Sequence, residues 1–351
     1  LQDDKELVFN SFDTLKNSLL IFDEILKGLI INKSEMFNAA SKGYITATDL
    51  AHKTAAKVFS WKYEDPSGSA KHSGWVKVAF PLYLLDIDNR GIPDLFTFIT
   101  GNWMGFTPIP NCKWVDLELP KSILKLFKGP QFGIEGMRKI CGTTKTRRPH
   151  LGATLKPKMG VTDQGAADQF YDAACGDFDT YKDDETYHNQ WCSPLMDRIT
   201  KVYEALDRAK SEGHHPEGEM FYVPQVTTDL ETTLETADRM IAHGARGMMI
   251  NFMCTWYPAL RALADDPSIN VPIHLHRASH AALTRHPRHG INLPVTDFIA
   301  RLAGGDMVHV GTARGKLGDK NKFNLENSDQ VILSETIMGS HGFCFAITLF
   351  K

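Results

Sequence analysis

The chain has 351 residues, with 39 Lys+Arg against 42 Asp+Glu for a formal net charge of -3, and 42% of its residues are hydrophobic. That is room for a small domain plus a large one, and so even a charge balance gives no footprint for nucleic acid or a membrane surface. The most apolar run, residues 19–31, is broken by Asp23, Glu24, Lys27 and Gly28, well short of the ~18 uninterrupted apolar residues of a membrane helix.

The start, LQDDKELVF, has no basic region ahead of an apolar block, so no secretory signal is expected. Without an initiator Met the N-terminus reads as processed or incomplete. Val8, Phe12, Leu15, Leu19, Phe22, Leu26 and Leu29 step by alternating fours and threes, which lays one apolar stripe along a helix over residues 4–31. Asp3 and Asp4 suit its N-terminus. The segments KVFSWKY and WVKVAFPLYLLDI read as strands separated by the turn-rich EDPSGSAKHSG. IPDLFTFITGNWMGF reads as a helix running into a Gly-containing turn. A helical segment over 1–44 and a small α+β, ferredoxin-like domain over 45–128 are expected.

Between residues 150 and 312 short apolar runs recur: LGATLKPK, DFDTYKDDE, EMFYVPQVTT, ARGMMINFMC, VPIHLHRAS and DMVHVGT. Helical patterns such as SPLMDRITKVYEALDRAK lie between them, and TTLETADRMIAHG ends on a Gly suited to a helix C-terminus. The runs start about 25 to 45 residues apart, the size of a βα unit. Six such units in series imply a parallel sheet. Near-continuous apolar strands between amphipathic helices favour an α/β fold of the closed TIM (β/α)8 type over an open sheet. No Gly-rich nucleotide fingerprint follows any strand. The barrel is placed at 129–318, and 319–351 form a divergent segment in which the last barrel strands are not recognisable.

Polar residues cluster where these runs end, the rim on which barrel enzymes carry their active sites. The first run ends in Lys156-Pro157-Lys158; two amines side by side and partly desolvated lose pKa, and one can then serve as a base. The second ends in Lys182-Asp183-Asp184-Glu185, crowded carboxylates that suit Mg2+ better than zinc. The fifth ends in His274-Leu275-His276-Arg277 with His280 beyond, acid–base groups beside a guanidinium able to hold phosphate. The sixth ends in His309, and Lys316 follows on a Gly-flanked loop able to close over a substrate. Solvated lysines and buried structural histidines are the plainer alternative at each position. Together the set suits Mg2+-assisted proton abstraction beside a carbonyl of a phosphorylated sugar. Six scattered cysteines without a CxxC pair fit reduced thiols in a cytoplasmic protein.

The motif order resembles the large chain of ribulose-1,5-bisphosphate carboxylase/oxygenase (RuBisCO), in a texture nearer the archaeal form III and RuBisCO-like proteins than the plant enzyme. TLKPKMG, DFDTYKDDE, HLHRASH and GGDMVHVGT with its GKLG carry the resemblance, helped by GNWMGF and GPQFGI. It implies a CO2-derived carbamate on Lys182 that holds Mg2+ together with Asp184 and Glu185. It makes Lys156 the enolising base assisted by Lys158, gives His276 acid–base steps, and places Arg277, His309 and Thr154 on the substrate. Lys316 would orient CO2, and Asn102 would reach the partner chain's site in a homodimer or higher homo-oligomer. The implied substrates are a sugar bisphosphate and CO2, with an oxygenase side reaction.

The chain also departs from that family. An ESSTGT segment that contacts metal and phosphate from the neighbouring chain is not found in ATDLAHKTAAKVFSW. The Ser-Gly-Gly and Gly-Gly-Gly loops of the seventh and eighth strands are not recognisable after Gly318. Two alternatives therefore accompany carboxylation: a RuBisCO-like enolase, isomerase or decarboxylase acting on another sugar phosphate, and a truncated inactive chain.

Overall fold

The computed structural model describes the backbone of residues 57–63, 73–101, 103–105, 109, 111–309 and 343–350. The helix expected over 4–31, together with Asn102 and Lys316, lies outside the described residues. Strands β1 (Lys57–Tyr63) and β2 (Ser73–Phe80) pair antiparallel. The second strand is shorter than its apolar run suggests. Pro81 has no N–H to give a ladder, and Leu82–Leu84 turns into a 3-10 helix. Helix α1 (Ile92–Thr100) takes Pro in its first turn and buries Ile92, Leu95 and Ile99. Strand β3 (Asn111–Glu118) has no clear apolar signal because Lys113 interrupts it. In the fold Lys113 is buried, and its ammonium donates to the carbonyls of Thr284 at 3.0 Å and His286 at 2.7 Å.

The larger part begins with helix α2 (Gly133–Ile140) and continues as β4 (Gly152–Thr154), α3 (Asp163–Cys175), β5 (Thr180–Lys182), α4 (Leu195–Ser211) and β6 (Phe221–Val223). Next come α5 (Leu230–Ala242), β7 (Met248–Asn251), α6 (Phe252–Asp265), β8 (Ile273–His276), β9 (Gly290–Ile291), α7 (Leu293–Leu302) and β10 (Met307–Val308). Strands β4, β5 and β6 form one parallel sheet, and β7, β8 and β10 another. A parallel bridge between Gln225 and Met249 joins them, giving six parallel strands in chain order. This is the β/α-barrel architecture expected from the repeat of apolar runs, preceded by a small α+β domain.

The outer face of the barrel strands packs on helices: the Phe170 ring meets Tyr181 at 4.6 Å and Tyr222 at 4.4 Å. The inner face is floored by α2, whose Met137 and Cys141 pack with Phe221, Val223 and Met249. Asp306 fixes that floor by accepting from the N–H groups of Phe132 (2.6 Å), Gly133 (2.9 Å) and Ile273 (2.9 Å). The barrel and the small sheet are joined, since β9 pairs parallel with β3. A last strand, β11 (Phe343–Phe350), pairs antiparallel with both β2 and β3. These C-terminal residues, where no element is recognisable from sequence, therefore complete the small sheet rather than the barrel. No helix among the described residues is long and apolar enough to cross a membrane.

Candidate active site

Residues that pair across neighbouring parallel strands share a face. Thr154, Lys182 and Val223 are partners across β4, β5 and β6. Met307, His274 and Met249 are partners across β10, β8 and β7, and His276 stands beside Asn251. Val223 and Met249 belong to the cluster over α2, so all of these face the barrel interior. The layer nearest α2 is apolar; the layer toward the strand C-termini is polar. There the His309 ring lies 4.8 Å from that of His274 and 5.7 Å from that of His276.

Lys182 ends β5 and is only 6% exposed. Burial lowers its pKa, opposed by the carboxylates of Glu185, Asp184 and Asp183. Its ammonium donates to the Asp183 carbonyl at 3.2 Å. The three acidic residues that follow do not crowd one another, because each faces a different partner. Asp183 turns under the strand to Arg198. Asp184 takes the ammonium groups of Lys156 and Lys158, the latter at 2.5 Å. Glu185 faces the His276 imidazole at 3.8 Å. Burial works to raise the Asp184 pKa, but the two lysines and Thr186 outweigh it and hold the carboxyl below the usual range.

This corrects the expectation that Lys156 loses pKa to its neighbour Lys158. The hydrogen bond to Asp184 raises the Lys156 pKa instead, outweighing the burial that works to lower it. Both amines converge on Asp184 from the loop after β4, which ends at Thr154.

Burial, and then the nearby Lys182 charge, pushes the His276 and His309 pKa values down to about 4, so both rings are neutral near pH 7. His276 Nδ1 accepts the N–H of Ala278 at 3.2 Å, which leaves the ring proton on Nε2, toward Glu185. Arg277 is 8% exposed, and its guanidinium lies 2.9 Å from His280 Nε2. His280 Nδ1 is in turn 2.8 Å from Thr284 Oγ1.

Two strand-end residues escape a reading built on strands one, two, five and six. Gln225 lies just past β6 and donates from its amide to the Glu185 carbonyl at 3.1 Å; Asn251 ends β7. The same rule of polar residues at strand ends finds both. Asn251 Oδ1 and both ring nitrogens of His274 are buried without a hydrogen-bond partner. Such orphans in a polar interior call for a further group between them. Among the described residues no three His, Cys, Asp or Glu side chains come together to hold a metal. Asp184 and Glu185 supply two carboxylates, and the third position nearby is the Lys182 amine.

Residues 133–342 match the family described as Ribulose bisphosphate carboxylase large chain, catalytic domain, and residues 39–123 match its N-terminal domain. A ribulose bisphosphate carboxylase of Pyrococcus horikoshii is 32% identical over 272 residues, covering 77% of this chain and 60% of that protein. A ribulose bisphosphate carboxylase-like protein of Archaeoglobus fulgidus is 37% identical over 243 residues, covering 69% of this chain and 53% of that protein. The chain thus spans less than two thirds of either relative's length. The crystal structure of an octameric Rubisco from Pyrococcus horikoshii in complex with sulfate superposes with a TM-score of 0.73 at 29% identity, over 84% of this chain and 67% of that one.

Proposed function

The chain belongs to the ribulose bisphosphate carboxylase large-chain family, and on that premise we propose that it enolises and carboxylates ribulose 1,5-bisphosphate at the barrel mouth, giving 3-phosphoglycerate. The observation that carries this reading is Lys182, an amine buried among carboxylates and neutral imidazoles with its pKa lowered by burial. Only a neutral amine attacks CO2. The attack forms an N–C bond, and the lost amine proton leaves a carbamate. That group would supply the missing third oxygen donor beside Asp184 and Glu185, and the orphaned polar atoms of His274 and Asn251 leave room for polar partners in the same interior. The donor set, all oxygen, fits Mg2+. When bound, Mg2+ supplies the Lewis acid that polarises the substrate carbonyl and steadies the enediolate charge.

The remaining roles follow from this chain's own side chains. Were Asp184 to hold a cation, Lys156 would lose the contact that raises its pKa and its amine would be free to take the substrate proton. Lys158 assists on the same side. His276, with its proton on Nε2, takes part in the acid–base steps. Arg277 and His309 bind one phosphate, with Thr154 contacting the sugar. Lys316 and Asn102 take the roles the family gives them, orienting CO2 and completing a partner's site. The octameric relative supports a homo-oligomer, and the family matches at 39–123 and 133–342 support a small domain over 45–128 ahead of a catalytic one over 129–318. Oxygenation would be a side reaction of the same enediolate, and the cytoplasm is the proposed location.

The second reading, a RuBisCO-like enolase or isomerase acting on another sugar phosphate, is favoured by the 37% identity to the Archaeoglobus protein. Incubation with ribulose 1,5-bisphosphate, Mg2+ and labelled bicarbonate separates the two. Acid-stable label in 3-phosphoglycerate is the expected result. No incorporation by folded protein sinks the carboxylase, and proton exchange on a monophosphorylated ketose without label uptake selects the alternative.

A further inference from the structure

Beneath the rim lies an ion pair that none of these roles uses. Asp183 and Arg198 are both fully buried, with Arg198 Nη2 3.0 Å from Asp183 Oδ2. The guanidinium also donates to the carbonyls of His188 at 2.7 Å and Ser193 at 2.8 Å, and it lies 4.3 Å above the Tyr187 ring. Asp183 is held from the other side by the Tyr222 hydroxyl at 3.3 Å and the Gln225 N–H at 3.3 Å. Gln225 closes the circuit through its side-chain bond to the Glu185 carbonyl.

Removing two charges from water costs more than their attraction commonly returns, so a buried pair is a poor source of stability. Its geometry offers a different use. The pair ties the residue between Lys182 and Asp184 to helix α4 and to the loop carrying residues 186–193. It fixes the backbone that carries Asp184 and Glu185, whose carboxylates both lie close enough to Lys182 to act on its charge. The Arg198 guanidinium also donates to the Ser193 hydroxyl at 3.1 Å.

We infer that Arg198 and Asp183 are positioning residues that aim the Asp184 and Glu185 carboxylates at the divalent cation. This rests on reading those two carboxylates as ligands. The pair takes one acid of a three-acid run out of the cluster, so that its two neighbours are left as oxygen donors beside Lys182.

The test is Mn2+ affinity in bicarbonate buffer, measured by titration on the full chain, alongside thermal unfolding. Asp183→Asn with Arg198→Met keeps an acceptor for Tyr222 and Gln225 and removes both charges. This double variant is expected to unfold within a few degrees of the parent yet bind Mn2+ about tenfold or more weakly. Arg198→Lys keeps the charge but loses the planar fork, and should bind a few-fold more weakly while melting unchanged. Folded variants with parental Mn2+ affinity overturn the inference. If the double variant does not fold, the lysine variant decides alone. Asp184→Asn separates the two levels. Loss of binding there with none in the Asp183/Arg198 variants sinks only the positioning role. No Mn2+ binding by the parent chain sinks the ligand reading and the inference with it.

Discussion

Lys156 lies in the loop after β4 and Lys182 ends β5, and their surroundings push them opposite ways. Lys182 is enclosed and disfavoured as a cation; Lys156 is mostly in solvent and held charged by Asp184. That contrast supports the proposed division of labour between a CO2-binding amine and a base. Lys156→Met should slow exchange of the substrate's abstracted proton by about 10²–10⁴-fold, read by tritium wash-out, with Mg2+ binding unchanged. A different buried acid governs pH stability. Asp297 is enclosed, both its oxygens lack partners, and burial raises its pKa to about 8. Its folded pKa exceeds the unfolded value of about 3.9, so its contribution is full at low pH and is lost as pH rises toward 8. The neutral His276 and His309 act in the opposite sense, but only below their ordinary pKa of about 6.5. Denaturant melts between pH 6.5 and 8 should therefore show the parent weakening, and Asp297→Asn should flatten that slope and be about 1–3 kcal/mol more stable at pH 8. Cysteines give a further check. Burial pushes the Cys112 and Cys141 thiols up to about 12, while Cys254 is exposed. A thiol reagent should label Cys254 on the native protein and reach Cys112 and Cys141 only on unfolding.

At the scale of elements, the barrel strands were legible because each is a short apolar run followed by a helical period, and period survives without knowledge of contacts. Strand β3 was not, since a lysine in an apolar run argues for exposure until Thr284 and His286 are found accepting from it. The DDE run shows the same limit at the site. Sequence gives three adjacent acids; only the fold brings Arg198 from α4, fifteen positions on, to take one of them. Gln225 and Asn251 lay within reach of the strand-end rule, and Lys316 and Asn102 rest on the resemblance alone. Close packing between elements also makes a prediction. Gly304, after α7, has a φ of 114°, and a Cβ there would come 2.2 Å from that of Ala264 on α6. Gly304→Ala should cost about 2–4 kcal/mol in unfolding free energy, measured by denaturant melts.

For the whole molecule, the family is settled by a match over most of the chain, and the chemistry turns on whether the barrel interior takes up CO2 before it takes up metal. A floor of Met137, Cys141 and neighbouring apolar side chains lies beneath the polar layer. Every role proposed for Asp184, Glu185 and Lys156 depends on Lys182 gaining a negative group in that layer. The decisive measurement is carbon-13 NMR of the protein equilibrated with labelled bicarbonate and Mg2+. The account predicts a single carbamate resonance that strengthens with Mg2+ and disappears in Lys182→Gln. Absence of that resonance in the parent chain, or its persistence in Lys182→Gln, would contradict it.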